Sequence, residues 1–176
     1  MKTIFSGETE GSVQDTLNLV TWDFHEKQFS LALPEGFLEM SGEKQEGSYP
    51  LSDRPQIILE EESEKAQVTI QFFHKAMKKE DIRRATEQIL ELTRKSFVQY
   101  KYSPIHLYTE GEVPVGWFLI HMEDIEKEHI KAVFPIKEYM VLLTFTYPEE
   151  KSMKWRSFKD YMFASIKEES NGTGKI

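Results

Sequence analysis

The chain of 176 residues contains no cysteine. Disulfides, thiolate nucleophiles and thiolate zinc sites are therefore excluded, while the compartment stays open on that ground alone. No run approaches the roughly 20 apolar residues that a membrane-crossing helix requires. The stretch 1–18 lacks the apolar core of a secretory signal. Positive charge is scarce: 22 lysines and arginines stand against 30 acids, a formal charge of −8. Binding to a phosphate backbone needs a basic footprint, and docking on anionic lipid needs a polybasic segment. Serine-nucleophile motifs, phosphate-cradling glycine loops and dinucleotide fingerprints are also missing. The expectation is a cytoplasmic protein with no catalytic residue, no cofactor and no metal. It is expected neither to bind nucleic acid nor to insert into a membrane.

What is present suits a folded domain, with 39% hydrophobic and 30% charged residues at a length that supports one core. The chain is organised around residues 115–147, which read as three consecutive strands rich in aromatic and branched side chains. A turn at Lys137 and Glu138 would pair Ile136 with Tyr139, and an earlier turn would pair Asp124 with His129. Alternation then places Trp117, Leu119, His121, Ile130, Ala132, Phe134, Ile136, Tyr139, Val141, Leu143 and Phe145 on one face. The other face carries Phe118, Ile120, Met122, Val133, Pro135, Met140 and Leu142, mixed with Lys131, Thr144 and Thr146. A sheet with one face in water has no need of so much apolar surface there. Either a helix of the same chain covers that second face, or it is an open patch that binds a partner.

Residues 1–21 read as an N-terminal extension or edge strand, 22–168 as a single α+β domain, and 169–176 as a flexible tail. Within the domain, a strand at 28–33 stops at Pro34-Glu35-Gly36, and residues 42–55 read as a surface loop. A hairpin joins 56–60 to 66–73. A helix is predicted over 79–100, its apolar stripe formed by Ile82, Ala85, Ile89, Leu92 and Phe97. A short strand at 105–109 precedes the central meander. A closing helix at 148–168 shows Trp155, Phe158, Met162 and Ile166 on one side.

The run Phe29-Ser30-Leu31-Ala32-Leu33-Pro34-Glu35-Gly36-Phe37, of the form F-x-L-x-L-P-x-G-F, together with the last helix from Phe158 to Ile166, resembles the PsbP/Mog-like family. The resemblance spans roughly residues 25–168. It implies an antiparallel β-sheet with helices packed on both faces, an α/β/α sandwich. It also implies a binding role, since the family includes a small-GTPase cofactor, a photosystem accessory subunit and Eag-type chaperones. Those chaperones hold effector transmembrane segments for type VI secretion. No functional motif of these branches matches here residue by residue.

The polar candidates are weaker. His121, Asp124 and His129 form the most suggestive cluster, but His121 points to the face opposite the other two, and a metal needs at least three converging ligands. Glu60, Glu61, Glu62 and Glu64 lack the spaced ligands and central glycine of a calcium loop. Lys78, Lys79, Arg83 and Arg84 form a basic cluster at a helix start. The leading expectation is thus a protein-binding module, an adaptor or chaperone-like accessory protein, holding a partner segment on Phe118, Ile120, Met122, Met140 and Leu142. The alternatives are a small-ligand-binding protein or hydrolase at His121, Asp124 and His129, or a self-associating structural protein pairing through the 56–60 edge. The chain would then be a monomer or a homodimer.

Overall fold

A computed structural model describes residues 2–7, 17–50 and 54–170. In chain order the elements are β1 (Lys2–Gly7), β2 (Leu17–Phe24), β3 (Phe29–Pro34), β4 (Leu38–Glu39), α1 (Gly42–Ser48), β5 (Ile57–Glu61) and β6 (Ala66–Ala76). There follow α2 (Ile82–Ser96), β7 (Lys101–Tyr102), β8 (His106–Tyr108), β9 (Val115–Met122), β10 (Lys127–Ile136), β11 (Tyr139–Pro148), α3 (Ser152–Ser165) and β12 (Lys167–Glu168). Residues 8–16 of the expected extension and 171–176 of the expected tail lie outside the described residues.

The strands form two antiparallel sheets. The larger runs β4-β5-β6-β11-β10-β9-β7, with β8 also pairing β9, and the smaller runs β1-β2-β3-β12. Each face of the larger sheet has its own cover. On one face, Val68, Ile70, Ile130, Ala132, Phe134, Leu143 and Phe145 pack with Phe29, Leu31 and Leu33 of the small sheet and with Trp155, Phe158 and Met162 of α3. On the other, α2 lies against β9 and β10. This is the α+β arrangement with helices on both faces, with a second sheet sharing the α3 side.

The turn at Lys137 and Glu138 pairs Ile136 with Tyr139 as expected. Both turn residues take positive φ, 51° and 63°, as a two-residue hairpin turn that follows the strand twist requires. The conformation is unusual for non-glycine residues, and neighbours hold it: Met77 N–H donates to the Glu138 carbonyl at 2.8 Å, and Lys137 N–H to Glu168 Oε1 at 3.1 Å.

The earlier turn is corrected. Met122 pairs with Lys127, so His129 faces Ile120 and not Asp124. The loop between them is a 3₁₀ turn, Glu123–Ile125, followed by Glu126 in the left-handed region. The hairpins at His25–Lys27 and Glu62–Glu64 use the same loop, with Gln28 and Lys65 left-handed. The slip from expectation is an even number of residues, so every side chain stays on its expected face.

Two further corrections concern the strands' surroundings. Residues 42–48 are helix rather than loop, with Ser41 Oγ accepting from Lys44 N–H at its start. The expected free edge at 56–60 is occupied, because Leu38 and Glu39 pair with Glu60 and Leu59 and Met40 N–H donates to the Ile58 carbonyl at 2.9 Å. Self-association through that ladder has no open backbone along 58–60.

Gly116 sets how closely α2 approaches β9. A Cβ there would stand 1.9 Å from Thr86 Oγ1 and 2.9 Å from Thr86 Cβ. That hydroxyl is itself turned inward, donating to the Ile82 carbonyl at 2.7 Å. Gly116→Ala is therefore expected to destabilise by about 1–3 kcal/mol through overpacking. Urea unfolding measures this, and Thr86→Ala in the same chain should recover part of the loss.

Candidate functional site

Phe118, Ile120, Met122, Met140 and Leu142 do not form an open surface. All are buried. Met140 and Leu142 pack with Ile82 and Ala85 of α2, and Phe118, Ile120 and Met122 pack with Ile89, Leu90, Tyr100, Tyr102 and Ile105. The expectation of an exposed partner patch at these residues is corrected for a simple reason: a strongly apolar sheet face is most stable when dry, and α2 supplies the cover from within the chain.

Exposed apolar surface appears instead where α2 ends. The helix stops at Ser96, short of the predicted residue 100. Tyr102 Oη donates to the Phe97 carbonyl at 2.7 Å and lies 3.2 Å from the Thr93 carbonyl, which already accepts from Phe97 N–H at 2.9 Å. The chain then turns into β7. Leu92 in the last turns of the helix is 62% exposed, and Phe97 and Val98 just past its end are 48% and 81% exposed. Phe97 stacks on Tyr100 with ring centroids 6.0 Å apart. Tyr100 Oη donates to Asp124 Oδ2 over a long 3.4 Å, which brings the β9–β10 loop and its half-exposed Ile125 to the same end of the molecule. The nearby charges pair among themselves, Lys95 with Glu91 at 3.2 Å and Lys101 with Glu123 at 2.7 Å. What remains unsatisfied at this end is apolar. The periodicity of Leu92 and Phe97 read as buried stripe; Val98 beside them, out of phase with that stripe, was the available sign that the apolar surface outruns its partner.

The histidine cluster is dispersed. Asp124 meets Tyr100, and His129 lies on the α2 side of β10, its pKa lowered to about 3 by burial first and then by Lys131 and Lys127. His121 faces Glu128 across the strand pair, on the side of α3. Glu128 is buried and accepts from Arg156 Nε at 2.9 Å, from Arg156 Nη2 and from Tyr147 Oη at 2.9 Å. His121 Nδ1 lies 3.4 Å from Glu128 Oε2, and its Nε2 lies 3.2 Å from Glu149 Oε1. Burial would push the Glu128 carboxyl up. The bonds from Arg156 and Tyr147, the Arg156 charge and the His121 contact outweigh that and hold it below the usual carboxylate range. The Tyr147 phenol moves far upward, by burial and by its bond to Glu128. Arg156 sits on α3, so the cluster is a clasp between helix and sheet, with the carboxylate's acceptor positions taken up by protein donors. His121, Asp124 and His129 therefore share no site. Among the described residues no three or more His, Asp or Glu side chains are grouped to hold a metal.

The acidic run is likewise internally paired. Lys44 Nζ bridges Glu60 and Glu62 at 2.8 and 2.9 Å, and Glu64 takes Lys151 and Lys154 at 2.6 and 2.8 Å. In the basic cluster, Arg84 pairs with Asp81 at 2.9 Å.

No family model and no curated protein matches the sequence. Solved structures match in shape. Cyanobacterial PsbP (CyanoP) from Synechocystis sp. PCC 6803 has a TM-score of 0.62 at 8% identity, over 90% of this chain and 98% of that one. A Bacteroides thetaiotaomicron VPI-5482 protein has a TM-score of 0.54 at 13% identity, over 82% of this chain and 46% of its own. LpqN of Mycobacterium tuberculosis, involved in cell envelope biogenesis, has a TM-score of 0.42 at 8% identity, over 97% and 91%. At these identities the likeness is one of fold. The chain has a PsbP-like α+β fold.

Proposed function

We propose that this protein is a non-enzymatic binding module, an adaptor or chaperone-like accessory protein, which presents the apolar end of α2 to a segment of a partner protein. The observation that carries this is the exposure of Leu92, Phe97 and Val98 within one short stretch. Single exposed apolar residues are ordinary, but a group at the end of one element marks an interaction surface. The PsbP/Mog-like resemblance supports the same class, since the roles it implies are roles of binding, although fold likeness by itself chooses no partner.

The test compares the wild-type protein with Phe97→Asp/Val98→Asp as bait in native lysate. Val98 faces solvent and Phe97 is half-exposed against Tyr100, so the variant should keep the wild-type circular dichroism spectrum and lose about 0.5 kcal/mol at Val98 and about 1 kcal/mol at Phe97. The reading expects a protein retained by the wild type and absent from the variant. Identical captures by both would reject this surface.

A further inference from the structure

Along β10, Lys127, His129 and Lys131 occupy alternate positions and so share one face of the sheet. It is the face that carries Val133, which α2 covers. Lys131 and His129 remain half-buried, beside Phe118 and Ile120 of β9, which α2 covers. Their partners on β11 are Thr144 and Thr146, and the next strand, β6, continues the row with Thr69 and Gln67. Each of these side chains can donate a hydrogen bond, and none is acidic. The first carboxylate reached across the strands is Glu60 of β5, opposite Gln67, and Lys44 already holds it.

Lys131 is the centre of this row. Its Nζ donates to Thr144 Oγ1 at 2.9 Å, and among the described residues no carboxylate is in ion-pair contact with it. That is notable in a chain with 30 acids. Holding an ammonium half-buried without a counter-charge costs free energy, and burial accordingly lowers the Lys131 pKa to about 8. At neutral pH the lysine is still mostly charged, while His129 is neutral and keeps one N–H to donate. Packing alone would favour an apolar side chain here, as at the neighbouring Val133.

We propose that Lys131, His129 and Thr144, with Lys127 at the exposed end of the row, form a receiving site for an oxyanion, the carboxylate or phosphate group of a ligand. The anion would supply the missing counter-charge to Lys131 through a charge-assisted hydrogen bond and find hydroxyl donors on β11. This site is built from β10 and β11 rather than from α2, and goes beyond the protein-docking role.

The test titrates ¹⁵N-labelled full-length protein with inorganic phosphate and, separately, with acetate, at constant ionic strength held by chloride. Backbone amides of 127–131 and 144–146 are followed by NMR. The expected result is a saturable shift confined to these strands with at least one anion. Saturation by acetate alone assigns a carboxylate, by phosphate alone a phosphate, and by both a general oxyanion site. Lys131→Met should raise the dissociation constant at least about tenfold, the scale of one lost bond to a charged group, while Lys131→Arg should largely retain binding. Lys131→Met should also fold, since it removes a half-buried unpaired charge; the wild-type titration decides independently of it. A merely linear response to both anions, or a saturable one that Lys131→Met leaves unchanged, overturns the proposal.

Discussion

Phe118→Asp is expected to unfold the protein. Phe118 is fully buried, enclosed by Ile89 and Leu90 of α2 and by Tyr100, Tyr102 and Ile105. Removing such a ring costs about 3–5 kcal/mol in lost burial and cavity formation. The aspartate adds a carboxylate beneath α2 whose cross-strand neighbour is Lys131; a buried ion pair repays little of its own desolvation, so the change stays unfavourable. A typical domain has only about 5–15 kcal/mol to lose. Phe118→Leu, which stays apolar, should cost far less and keep a cooperative transition. Circular dichroism and urea unfolding of the two variants separate the cases. A Phe118→Asp chain that stays folded and stable even with Lys131→Met beside it would mean that α2 does not seal this face, and the open-patch reading would return.

Arg156→Met is the second large effect, and it carries a pH signature. The substitution strands the Glu128 carboxylate under the helix with only Tyr147 and His121 beside it. Breaking a fully buried pair costs about 3–5 kcal/mol; because the Arg156 side chain is 49% exposed, about 2–3 kcal/mol is expected at pH 7. In the wild type the Glu128 pKa is depressed, so its contribution is present above the ordinary carboxylate range and is lost as pH falls through the folded value. Without Arg156, burial dominates and lifts the folded pKa above the unfolded one. Its contribution is then lost as pH rises through that value. The penalty of the substitution should accordingly shrink as pH falls from 7 to 5, with other groups cancelling in the difference. Urea unfolding of both proteins across that range measures it. A penalty independent of pH would mean that Glu128 is not a stranded charge in the variant.

Much of this fold could be read from the residues because the strands alternate cleanly. The 130–136 and 139–147 runs fix their own turn, and even the misplaced loop before Lys127 kept the right faces. That loop was illegible because Glu126 takes a left-handed conformation without being glycine or asparagine. The end of α2 was illegible for a different reason: the apolar period continues into Phe97 and Tyr100, whereas the backbone leaves the helix at Phe97, whose carbonyl accepts from the distant Tyr102 hydroxyl of β7. α1 had only Ser41 as its local signal, in a stretch whose glycines and prolines argue for a loop. The pairing of Glu128 with Arg156 spans 28 residues and leaves no local trace. The candidate surface was misplaced for the same tertiary reason. Both the apolar sheet face and its amphipathic cover were visible, but not that they fit one another and leave the helix's last turn bare. The row Lys127, His129 and Lys131, by contrast, is plain in the sequence at period two.

The most direct experiment on the apolar end of α2 places a photo-crosslinking amino acid at Val98 and, as a control, at Met153. Met153 is 86% exposed but stands at the start of α3. The binding-module reading predicts a discrete adduct with another protein at Val98, absent at Met153 and abolished by Phe97→Asp. No adduct at Val98, an equal one at Met153, or an adduct of twice the chain's own mass would contradict it, the last by pointing to self-association.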